Sequence, residues 1–134
     1  MTLTSFQDLL DASLQQPQPQ RLLFVFVTID LPEAATEAQR VQAARKTGGN
    51  LSPTLCVDKA PDEVASFSAL VEESNSTGLR WEIVFVSSMS GRAGVAPSAD
   101  EAAQPLRFMV NAINNGRVSE FVAFDREGNV LQFL

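Results

Sequence analysis

The chain has 134 residues, 45% of them apolar and 19% charged, with a formal net charge of −6, one cysteine and no histidine. That length and composition suit one globular domain with a sizeable core, not a disordered chain, and no apolar run reaches the roughly 18 residues that cross a bilayer. The missing histidine and the single thiol exclude histidine-dependent catalytic triads, histidine phosphorelays and zinc sites built on histidine or thiolate ligands.

The ten basic residues are spread from Arg21 to Arg126 without a cluster, so no nucleic-acid partner is expected. The first residues lack the basic start and apolar core of a secretion signal, which sets the expectation of a cytoplasmic protein with no membrane partner. No cofactor is expected.

In chain order, Leu3, Phe6, Leu9, Leu10 and Leu14 recur at helical spacing behind Ser5 and Asp8, which resemble a capping box. They predict a helix from about Ser5 to Gln15, ended by the alternating prolines of Gln15 to Gln20. Leu22 to Ile29 is apolar on both strand faces and predicts a central strand covered on both sides. A lightly buried helix follows, with Thr36 preferred over Pro32 as its start and Gly48 and Gly49 as its stop, and Thr54 to Val57 reads as a short strand. Pro61 opens the next expected helix, with Val64, Phe67, Leu70 and Val71 as its inward stripe and Gly78 as its stop. Trp81 to Val86 is the next strand, and a small-residue loop from Ser87 to Pro97 leads to the helix signal Ser98-Ala99-Asp100-Glu101. Pro105 falls inside that helix and predicts a kink, or a regular helix beginning only near Gln104. Val118 to Phe124 and Val130 to Phe133 form a hairpin about the turn Asp125 to Gly128.

Strands separated by helices pair in parallel through crossovers. The expectation is therefore an α/β fold: a mostly parallel sheet of about five strands flanked by helices, with a C-terminal antiparallel hairpin. Residues 1–134 make a single domain, in which 1–20 supply an N-terminal helix and Pro/Gln spacer and 21–134 the sheet core.

In a parallel sheet the carboxyl ends of the strands share one rim, where ligands bind. Thr28, Asp30, Asp58, Lys59, Ser87, Ser88 and Ser90 are placed there by this reading. Arg92, Gly91 and Gly94 follow in the loop, just before a helix N-terminus. Hydroxyls, glycines and an arginine at such a terminus suit a small phosphate or carboxylate, with Arg92 as the forked donor, against the plain alternative of a connecting loop. Asp30 and Asp58 have the hard oxygens for a magnesium ion, although aspartates there more often cap the next turn, and no metal is assigned. Cys56 beside Lys59 has the elements of a nucleophile, but Leu55 and Val57 on either side predict an inert buried thiol. The apolar C-terminal strand from Val130 to Leu134 is expected to be a sheet edge that pairs with a second copy, making the protein a homo-oligomer.

The segments Gln20 to Phe26, Leu55 to Lys59, Ala69 to Ser74, Ile83 to Val86, Ser90 to Gly94 and Phe124 to Arg126 together resemble a family of short, uncharacterised bacterial proteins, some of them labelled ribonucleotide reductase alpha subunit. The resemblance runs over nearly the whole chain, yet it implies no activity. The catalytic subunit of that enzyme is a much larger barrel with several essential cysteines, and Cys56 alone cannot supply them. The sequence therefore supports a small non-catalytic binding or accessory protein that self-associates. Its alternative is an enzyme or sensor for a phosphorylated or carboxylated metabolite at the loop 87–98.

Overall fold

The computed structural model describes residues 5–29, 36 and 51–132. Asp30 and, beyond Thr36 itself, the helix expected from Thr36 fall outside that set, as do Phe133 and Leu134. The first helix, α1 (Phe6–Leu14), starts where Ser5 Oγ accepts the Asp8 N–H and buries Phe6, Leu9 and Leu10. Strand β1 (Gln20–Ile29) follows, then β2 (Leu51–Lys59) and a single 3-10 turn at Pro61–Glu63. The helix expected from Pro61 starts later, as α2 (Phe67–Asn75), because Ser66 supplies its cap by accepting the Ala69 N–H. Strand β3 (Ile83–Ser90) runs four residues past the expected end, and α3 (Ala99–Asn114) follows behind the capping box of Ser98 and Glu101. Pro105 lies within α3 without ending it. The hairpin is shorter than expected, with β4 at Val122–Asp125 and β5 at Val130–Leu131.

The five strands are ordered β2-β1-β3-β4-β5, and every neighbouring pair is antiparallel. The mostly parallel sheet is thus corrected to an all-antiparallel one. The crossover rule holds only for the relative direction of β2 and β3 and not for their adjacency, while β1 with β2 and β3 with β4 are antiparallel. β2 and β3 both run opposite to β1, hence the same way as each other, but β1 lies between them and pairs with both. The α2 connection therefore makes a split β-α-β unit. The α3 connection returns through residues 115–121 to the end it left, so β4 descends antiparallel to β3.

Strand alternation divides the core in two. Leu23, Val25, Val27 and Ile29 of β1 face α3 with Ile83, Phe85, Ala102, Met109 and Ile113. Leu22, Phe24 and Phe26 face α1 and α2 with Leu9, Leu10, Leu70, Val84, Val86 and Phe124. The two-sided burial of β1 is as expected, since it depends on the covering helices and not on strand direction. Among the described residues no helix is long and apolar enough to cross a membrane.

Candidate functional site

Antiparallel pairing redistributes the residues expected on one rim. Thr28 lies at the far end of β1, opposite Ser52 of β2. The carboxyl ends of β2 and β3 do meet at one edge of the sheet, but with the start of β1 between them: Leu23 pairs with Asp58 on one side and with Ser87 on the other. Two strand spacings put Asp58 roughly 10 Å from Ser87. Each charged residue of β2 has its own partner. Arg21 Nε donates to Asp58 Oδ2 at 2.6 Å, and Lys59 Nζ lies 2.9 Å from Glu73 Oε1 of α2. Neighbours in a strand point to opposite faces, so Asp58 and Lys59 do not converge. Among the described residues, neither lines the two cavities that Ser87 lines, one of them with Arg92.

The segment read as a ligand loop is largely closed on itself and on the Pro/Gln spacer. Arg92 and Val95 exchange backbone hydrogen bonds at 3.0 and 2.9 Å about a turn with Ala93 at φ 51° and Gly94 at φ 79°. Two successive positive φ angles are those of a tight hairpin turn. The Gly91 N–H donates to the Pro19 carbonyl at 2.8 Å, and the Gly94 N–H to Gln18 Oε1 at 2.8 Å. Gln20 Nε2 donates to Ser90 Oγ at 2.8 Å. A Cβ at Gly91 would sit 2.0 Å from the Val95 carbonyl oxygen, so glycine there answers a close approach of backbone. The N–H groups of Gly91, Arg92, Gly94 and Val95 are therefore already engaged. At the α3 N-terminus, Ser98 Oγ accepts the Glu101 N–H while Glu101 Oε1 accepts the Ser98 N–H. That backbone bond, then the Ser98 side chain, with nearby Arg92 contributing, hold the Glu101 carboxyl below its ordinary pKa.

Two cavities flank the upper half of β3, one on each face of the sheet. Under α3 lies a groove of about 800 Å³ floored by Leu23, Met89, Met109 and Phe121, with Arg92, Asp100, Glu101 and Glu120 among the residues at its sides. On the α1 face a cavity of about 460 Å³ is lined by Leu9, Leu22, Val86 and Val122 together with Ser88, Ser90, Gln16 and Gln20. Ser87, Ser88 and Glu120 line both. Sequence reasoning found the serines and Arg92 but missed Glu120, Phe108, Met109, Gln16, Gln20 and Gln104 as lining residues. Gln20 is buried, one residue before Arg21 and the apolar run from Leu22, and nothing local in the sequence marks it as part of a cavity.

Cys56 is exposed on β2, not buried as expected, because β2 is the outermost strand of the sheet and Cys56 is the one residue of β2 turned to solvent. Partial burial still pushes its thiol pKa up, which disfavours the reactive thiolate. Among the described residues no group of three metal-ligating side chains comes together.

The fold defines a class, a five-stranded antiparallel sheet between α1 and α2 on one face and α3 on the other. No protein-family model, curated protein or solved structure matches the chain.

Proposed function

We propose that this chain is a non-catalytic binding protein that holds its ligand in the groove between α3 and the upper half of β3 and associates with a second copy at the outer edge of β5. The observation that carries the first part is the groove itself. Its volume of about 800 Å³ lies within the range of ligand sites, and it combines an apolar floor with a few charged groups at the sides. Phe108, on the outer face of α3, is 58% exposed beside it. A phosphate or carboxylate ligand has less support, since Arg92 shares the lining with Asp100, Glu101 and Glu120 and the loop N–H groups are engaged.

Native mass spectrometry of the protein taken directly from cell extract tests this reading. A retained mass is expected on the wild type, and Phe108→Ala should weaken it without altering thermal stability. A bare chain under the gentlest conditions, or a ligand held equally by Phe108→Ala and by Met109→Lys, would overturn it.

A further inference from the structure

We infer that the unpaired edge of β3 at Ser88 and Ser90 takes a short extended peptide of alternating basic and apolar residues as an added strand, its side chains falling alternately into the two cavities. The inference rests on the groove-binding reading and names its ligand. β4 pairs with β3 only from Ile83 to Val86, whereas β1 pairs with it as far as Ser90. The upper half of β3 is therefore bonded on one side only. The Gly91 N–H to Pro19 carbonyl bond sets the alternation: odd-numbered residues of β3 turn their backbone groups toward β1, even-numbered ones toward β4. Val84 and Val86 meet β4 at Phe124 and Val122. The N–H and C=O groups of Ser88 and Ser90 have no such partner among the described residues, and both serines are exposed.

An edge of this kind is where a peptide strand adds, with backbone bonds giving affinity and pockets for alternate side chains giving specificity. The two cavities lie where those side chains would go, one on each face of the same edge. Their chemistry differs. On the α3 side Asp100, Glu101 and Glu120 outnumber Arg92, and an apolar floor receives long aliphatic stems that end in a cation. On the α1 side Leu9, Leu22, Val86 and Val122 make an apolar patch for small aliphatic side chains, bordered by Ser88, Ser90, Gln16, Gln20 and the shared Glu120. The net charge of −6 favours a basic partner over a second copy at this edge.

The test uses an end-blocked hexapeptide alternating lysine and leucine, and the same peptide N-methylated at alternate amides. Methylation keeps charge and apolarity but removes strand donors. The parent peptide should bind, protect the Ser88 and Ser90 amides from hydrogen exchange and weaken with salt. The methylated peptide, and one with glutamate for lysine, should each lose at least tenfold. Ser88→Pro should lose binding as well. That substitution removes an N–H that points away from β1, and thermal unfolding checks that the fold is kept. Equal binding of parent and methylated peptides, binding without protection of Ser88 and Ser90, or no binding of the parent would each overturn strand addition. If the peptide fails while native mass spectrometry shows a retained mass that Phe108→Ala weakens, strand addition falls and the groove reading stands. If neither ligand is seen, both fall.

Discussion

Trp81, 1% exposed, buries its indole N–H and gives it one acceptor, Ser74 Oγ at 2.8 Å, while Ser74 in turn donates to the Val71 carbonyl at 2.6 Å. Arg126 closes the other side, with its guanidinium carbon 4.4 Å from the ring centroid and Nη2 donating to Asn75 at 2.7 Å. Ser74→Ala leaves the indole N–H buried without an acceptor and is expected to cost about 1–3 kcal/mol in urea unfolding followed by circular dichroism. Trp81→Phe removes the donor too, so the double variant should cost less than the two single changes added together. Glu101 gives the pH dependence. Its folded pKa is lowered by the bond from the Ser98 backbone, then by the Ser98 side chain. The charged form is thus favoured on folding. The stability it contributes is complete above the ordinary glutamate pKa and is lost as pH falls through the lowered value. The melting temperature of Glu101→Gln should lie below the wild type at neutral pH and meet it in acid, once the pH has fallen below the lowered pKa. A gap that persists in acid would remove the carboxylate as its cause.

The hairpin at Arg92 to Val95 and the spacer that holds it act as one element. Ala93 sits at φ 51°, where a side chain other than glycine is disfavoured, so Ala93→Gly should relieve roughly 1 kcal/mol of strain in thermal or urea unfolding. Gln18→Ala removes the acceptor of the Gly94 N–H, and hydrogen exchange at Gly94 should quicken while amides in the middle of β1 are unchanged. The starts of α1 and α3 were legible in the sequence for a local reason: Ser5 and Ser98 bond within their own first turns. The start of α2 and the end of β3 were not. Ser66, not Pro61, supplies the α2 cap, and Ser87 to Ser90 carry no apolar alternation. What extends β3 there is pairing with β1 some 70 residues away, as in the Gln20 to Ser90 bond. Glu120 enters the site by the same kind of remote juxtaposition and has no local signal.

At the scale of the whole molecule, two-sided burial of β1 was readable because eight consecutive apolar or near-apolar positions, Leu22 to Ile29, have few other fates. Strand direction and order were not, since a helix between two strands fixes neither: β3 and β4 are antiparallel across α3, and β1 lies between β2 and β3. The same topology leaves β5 outermost, beyond β4, with Val130 and Leu131 on a side of the sheet that has no further strand among the described residues. Two residues template little pairing, and two chains each carrying −6 repel, so association there should be weak and governed by screening. Raising salt from 0.01 M to 1 M shortens the screening length from about 30 Å to about 3 Å and should move the mass seen by sedimentation equilibrium from 14.5 kDa toward twice that value. Leu131→Lys should abolish the rise by adding charge to an edge strand. Peptide addition at β3, driven by opposite charge, weakens over the same range. The two edges are thus separable by the sign of one salt titration, and a mass of 14.5 kDa at every salt and protein concentration would rule out association at β5.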